Sequence, residues 1–203
     1  MVRHKLTELL AASPIVTAAE LRAAGVSGRD VSGAVERVDI VRAAHGLYAT
    51  MEVYADPDFD HALACHRTGG VIAHLSAGQR QGLCDAVPPL TELIVPHTLT
   101  RAPDGLPLRL MRTRSSEAMS VGVEATPFHG LELRVTGPAR TVVDLHRIEP
   151  AATRQHAVTA LARYVTDGGS VDDLHRVAVV FDCWDTLRPE VEIALESRGG
   201  MKP

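Results

Sequence analysis

The stretch VTGPARTVVDLHR, Val135 to Arg147, sets an arginine, a threonine and an aspartate at positions 140, 141 and 144. A guanidinium, a hydroxyl and a carboxylate so close together could form a reaction centre, a docking surface, or only the opening turns of a helix. Pro138 suits the first helical position, where its missing N–H costs nothing. Arg140 and Asp144 are four apart and can pair, although the acid-before-base order is the better one. A cation in the first turn also opposes the helix dipole. Arg140 is therefore expected to have a partner beyond its own helix: a carboxylate or carbonyl of the same domain, a phosphate, or another protein. Arg140 and Asp144 are the candidates for any catalysis.

Other reaction signatures are absent. There is no G-x-x-x-x-G-K-[ST], no G-x-G-x-x-G after a strand, no paired H-R-D and D-F-G, and no G-x-S-x-G, so neither P-loop nor standard kinase chemistry is indicated. Among ten histidines, His61 and His66 are five apart and His74 stands alone. That spacing suggests no metal site, and surface or helix-end histidines are expected. No cofactor is called for. Cys65, Cys84 and Cys183 are odd in number and far apart, the usage of a reducing compartment. With no apolar run of about eighteen residues and no signal-like start, a cytoplasmic protein without a membrane partner is expected.

The elements that must position these groups are an aliphatic set, since apolar residues make up 45% of the chain but aromatics only 3%. The net charge of −4 argues against nonspecific coating of nucleic acid. Residues 1–50, however, hold six Lys/Arg against five Asp/Glu, while the remainder holds fifteen against twenty. Any DNA contact belongs near the amino terminus.

There, Leu6, Leu9 and Leu10 mark a first helix ending near Ser13-Pro14. Thr17 and Glu20 form a capping box for a second, which Gly25 stops. Ser27 caps a third, with Asp30 in its first turn and Val31, Ala34, Val35 and Val38 as its apolar stripe. Two short strands around Ala43–Gly46 complete a winged helix-turn-helix over residues 1–52. The candidate DNA contacts are Ser27, Arg29, Ser32 and Arg37 on the recognition helix, and Arg42 and His45 on the wing. Asp30 and Glu36 repel phosphate, so binding should be weak per protomer and depend on paired half-sites.

The acidic, proline-containing MEVYADPDFD places a boundary near Thr50–Asp56. Beyond it, residues 53–203 read as a mixed sheet-plus-helices domain, making the whole chain α+β. Helices are expected from Asp58 to about Arg67 and from Gly70 to about Leu83. Strands follow at Leu93–Val95, around Leu108–Arg112 and at Leu131–Val135, with 115–130 partly loop. Four helices then run from Pro138 onward through Ile148, from Ala152, from Val171 after the cap Ser170, and from Thr186. Arg101, Arg109, Arg112, Arg114 and Arg134 should gather around the sheet, a surface suited to carboxylate or phosphate. Asp182, Asp185, Glu190, Glu192 and Glu196 should gather on the last helices.

Taken together, these segments resemble the AbiEi family of antitoxins. TAAELRAAGVSGRDVSGAVERVDIVRAAHGLYA looks like the family's amino-terminal winged helix, and HLSAGQRQGL with PPLTELIVP resembles the start of its carboxy-terminal domain. VTGPARTVVDLHR is similar to its strand-to-helix motif at Pro138, Arg140, Thr141, Val143, Asp144 and Leu145. LRPEVEIAL resembles its closing helix at Leu187, Arg188 and Pro189. The match covers most of the chain, and P-x-R-T-V-V-D-L is its most specific run.

The resemblance implies an antitoxin encoded beside a nucleotidyltransferase-like toxin. Its winged helix would bind operator repeats and repress its own operon, and its carboxy-terminal domain would neutralise the toxin. Arg109, Arg112, Arg114, Arg134, Arg140 and Asp144 are the candidates for that second role. Many relatives carry a further nuclease-like domain, for which the stretch ending at Pro203 leaves no room. Two alternatives stand beside this reading. One is an atypical kinase, using ATP and Mg to phosphorylate a toxin serine. The other is a transcription regulator with a ligand-sensing domain.

Overall fold

Helix α1, Val2–Ala12, is followed by the short strand β1, Ile15–Thr17, and by helices α2, Ala18–Ala23, and α3, Gly28–Glu36. Both later helices begin with the reciprocal caps that their sequences demand. The Thr17 hydroxyl accepts the Glu20 N–H while the Glu20 carboxylate accepts the Thr17 N–H, and Ser27 and Asp30 repeat the pattern. The Thr17 N–H and then the Thr17 hydroxyl, both donating to Glu20 Oε2, hold the Glu20 carboxyl below its usual pKa. Gly25 ends α2 with φ +77°, a conformation that costs glycine no Cβ clash.

Strands β2, Val41–Ala44, and β3, Leu47–Ala49, form a hairpin, and β1 pairs antiparallel with β3, giving the sheet order β1-β3-β2. Strand β1 has no counterpart in the sequence reading. Leu6, Val16, Leu21, Val26, Val31, Ala34 and Ile40 pack as the core of these elements. Val38 departs from the expected stripe: it has φ +60° and is 56% exposed. The Asp39 N–H returns to the Ala34 carbonyl, so Val38 holds the left-handed, helix-ending position that usually falls to glycine.

The acidic stretch expected to be a linker is partly helical, α4, Met51–Tyr54, capped by the Thr50 hydroxyl. Helix α5, Phe59–Thr68, runs close to its expected bounds. The next expected helix does not begin at Gly70. Val71–Ile72 is strand β4, and helix α6 spans only His74–Arg80. Two β-branched residues are held here by neighbours on both sides, antiparallel to β5, Thr91–Pro96, and parallel to β8, Leu131–Thr136. Such pairing overrides local helical periodicity.

Strand β6, Leu108–Thr113, lies parallel to β5, and β7, Val123–Phe128, is an edge strand beside β8. The five-stranded order is β6-β5-β4-β8-β7, so the chain is mixed α+β. Helices α7, Pro138–Arg147, α8, Ala151–Thr166, α9, Val171–Val180, and α10, Trp184–Gly200, follow in sequence order. Val142, Val143, Leu145, Leu161, Val165, Leu174, Val177 and Leu187 form their shared core.

The computed structural model describes residues 2–147 and 151–200; Ile148, included in the expected helix, lies outside them. Two compact units separate. One comprises Met1–His66, Pro103–Leu106 and Thr126–Leu133, and the other comprises Arg67–Ala102, Pro107–Ala125 and Arg134–Pro203. None of the described helices is long and apolar enough to cross a membrane.

Candidate functional site

Helix α7 turns Arg140 inward, because its neighbours Val142, Val143 and Leu145 all face the core. The guanidinium is 1% exposed and has a partner for each nitrogen. Nε donates to Asp144 Oδ2 at 2.9 Å, Nη1 to the Val121 carbonyl at 2.7 Å and Nη2 to the Ala118 carbonyl at 3.3 Å. The Phe181 ring lies 3.9 Å from the guanidinium carbon, a cation–π contact that strengthens when desolvated.

The loop supplying those carbonyls includes a 3-10 turn, Glu117–Met119. It can come this close because residue 122 is glycine: a Cβ there, at φ +65°, would sit 2.7 Å from the Arg140 Cβ. The partner anticipated beyond the helix is thus a pair of carbonyls. Asp144 is also 1% exposed. Burial pushes its carboxyl above the usual range, and Arg140 and then Arg147 act against that. Thr141 bonds to the Thr136 hydroxyl and carbonyl.

A second buried polar group lies at the start of α6, and the sequence reading does not single it out. Glu92, on β5, is 4% exposed. Its Oε2 accepts the Leu75 N–H at 3.0 Å, and its Oε1 accepts Arg109 Nη1 at 2.9 Å. The carboxylate therefore caps a helix whose own N-cap residue, Ala73, has no side chain to do so. Ser76 completes the joint by accepting the Glu92 N–H. An acid inside the apolar strand TELIVP is the available signal, since an acidic side chain is buried only with partners.

His74 opens α6 with φ +51°, a helix-end position as expected, and it is buried. Its Nε2 has no hydrogen-bond partner among the described residues. Burial first, then the charges of Arg140, Arg109 and Arg147, lower its pKa to about 3, so the imidazole is neutral at physiological pH.

The other candidate residues divide. On α3, Arg29 and Ser32 are exposed. The Ser27 hydroxyl is engaged by the cap, accepting the Asp30 N–H and donating to Asp30 Oδ2 at 2.5 Å. Arg37 pairs with Asp39 at 3.0 Å. On the β2–β3 hairpin, Arg42 and His45 are exposed, and Arg42 Nη2 lies 3.4 Å from His45 Nδ1.

The expected arginine cluster does not form. Arg109 and Arg112 are on β6 with opposite parity and so face opposite sides of the sheet. Arg112 donates to the Leu99 and Thr100 carbonyls, and Arg114 is exposed. Arg134 is on β8, separated from β6 by two strands, and donates to the Met119 carbonyl. The acidic residues do fall where expected, Asp185, Glu190, Glu192 and Glu196 on α10 and Asp182 just before it; Glu190 pairs with Arg154 and approaches His146, and Glu192 pairs with Arg188. Among the described residues no cluster of His, Cys, Asp or Glu is arranged to hold a metal ion.

No protein-family model matches the chain, and no curated protein matches it at a significant level.

Proposed function

We propose that residues 1–52 are a winged helix-turn-helix that binds operator DNA, and that the chain is an antitoxin opposing a nucleotidyltransferase-like toxin. The observation that carries the DNA-binding half is the order α1-β1-α2-α3-β2-β3, with β1 closing a three-stranded sheet onto the hairpin. In that arrangement α3 is the recognition helix and the hairpin is the wing.

Exposed Arg29 and Ser32 on one element, and Arg42 and His45 on the other, are the groups positioned to meet phosphate or base edges. Arg37 contributes less, because Asp39 already neutralises it. With Glu36 on the same helix, affinity per protomer is low, and repeats in the operator supply the rest. The antitoxin half rests on the resemblance carried by Pro138, Arg140, Thr141 and Asp144.

Neutralisation is by binding through exposed residues elsewhere on the chain, and not by phosphotransfer at these positions. Arg140 and Asp144 are each 1% exposed and already engaged with each other, which leaves them no access to a nucleotide. In this reading the chain needs neither ATP nor Mg, and a ligand-sensing regulator is not required.

The test is a gel shift on the repeat-containing DNA upstream of the chain's own gene. Replacing Arg29 and Arg42 together by alanine should weaken binding and reduce the slope of log K against log salt by about 2, because each arginine neutralises about one phosphate. An unchanged shift and slope would remove the recognition-helix assignment.

A further inference from the structure

Strand β6 ends the five-stranded sheet, and its register defines which backbone groups are left over. The Thr91 N–H donates to the Pro107 carbonyl at 2.8 Å and the His97 N–H donates to the Thr113 carbonyl at 2.8 Å. With Thr91 opposite Leu108 and Pro96 opposite Thr113, Arg109, Met111 and Thr113 direct their amides and carbonyls at β5. Leu108, Leu110 and Arg112 direct theirs outward, where the sheet has no further strand among the described residues. The opposite edge, β7, carries Pro127 and is blunted by its missing N–H. No proline interrupts β6.

Side chains add a charge to this open edge. LPLRLMRTR, residues 106–114, contains three arginines and no acid. Arg112 is on one face of β6, Arg109 is on the other and tied to Glu92, and Arg114 directly follows the strand's last residue, Thr113. Arg112 donates to neutral carbonyls, and Arg114 is exposed. Two copies joined edge to edge would bring together Arg112 and Arg114 of each, and like charges across a ladder are destabilising. The same charges favour a foreign strand that carries carboxylates.

We propose that β6 is a docking edge for an extended acidic segment of a protein partner, which adds as a sixth strand and sets its carboxylates against Arg112 and Arg114. Backbone hydrogen bonds to Leu108, Leu110 and Arg112 hold the segment, and the two guanidinia select its charge. The inference is independent of DNA binding by residues 1–52, and a partner other than a toxin would satisfy it.

Amide hydrogen exchange on the full chain tests it, with a synthetic nonapeptide of alternating glutamate and valine as the probe. The amides of Leu108, Leu110 and Arg112 should exchange at least ten-fold more slowly when the peptide is saturating, while those of Arg109, Met111 and Thr113 stay protected throughout. A lysine–valine peptide should give no such protection. Arg114→Glu, at an exposed side chain, should weaken the acidic peptide at least ten-fold.

Four results would each overturn the proposal. One is no slowing with the acidic peptide, and another is equal slowing with the basic one. The third is slowing by a single-stranded oligonucleotide in place of the peptide. The fourth is protection that grows with protein concentration alone, which would make the edge a contact between copies.

Discussion

Arg140 and Asp144 form an ion pair whose energetics follow from their burial. Each ion alone would cost several kcal/mol to desolvate, and neither can be removed without stranding the other. Asp144→Asn is expected to destabilise the fold by about 3 kcal/mol, read from chemical denaturation. The double replacement Arg140→Met with Asp144→Leu should cost less than that single change, because it strands no charge. A double mutant as unstable as the sum of the singles would contradict this account.

His74 makes a different prediction. Its folded pKa of about 3 lies below the ordinary 6.5, so the unfolded chain binds the proton more readily between those values. The stability it contributes is complete above pH 6.5 and is lost as pH falls toward 3, at about 1.4 kcal/mol per pH unit. The raised pKa of Asp144 acts with the opposite sign above its ordinary 3.8. Subtracting the profile of a His74→Gln variant from that of the parent cancels Asp144 and leaves the histidine. A difference independent of pH between about 4 and 6 would refute the assignment.

At the level of helices and strands, short-range chemistry explains most of what forms. Caps at Thr17, Ser27 and Ser170 lie within a few residues of the groups they satisfy, so they are legible from sequence alone. Ser27→Ala is expected to cost about 1 kcal/mol, measured as a lowered denaturant midpoint with an unchanged slope. Val38 fits the stripe of α3 by spacing yet lies outside the helix, because helical spacing carries no information about where a helix ends. A β-branched residue with φ +60° is strained, and its side chain is mostly in water. Val38→Gly should therefore stabilise the protein by about 0.5–1 kcal/mol, after allowing for the greater entropy of glycine in the unfolded chain. Strand β4 is hidden in the sequence for a related reason: two residues have no period of their own, and only pairing with β5 and β8 makes them a strand.

For the molecule as a whole, the charges matter through where the fold sends them. Arginines that are close in sequence separate onto two faces of β6, and Arg134 belongs to a different strand altogether. One of the dispersed set, Arg109, serves the buried Glu92. If neutralisation proceeds by binding, the neighbouring toxin should keep its intact mass after incubation with this protein and ATP, while its toxicity is suppressed. A gain of one phosphoryl group would instead require an enzyme, with a nucleotide site away from the sealed Arg140–Asp144 pair.

The helix caps, the β2–β3 hairpin, strands β5, β6 and β8 and the α7 pairing of Arg140 with Asp144 follow from the order of the amino acids alone, because each depends on residues close in sequence. Three other outcomes belong to the assembled fold. The pair is buried under the Ala118 and Val121 carbonyls, Glu92 caps α6 from another strand, and His74 is kept neutral. They depend on strand order and on loop approaches between segments far apart in the chain, such as Leu75 with Glu92 and Arg140 with Val121. Local spacing cannot encode them, since burial and charge partners arise only when distant segments meet.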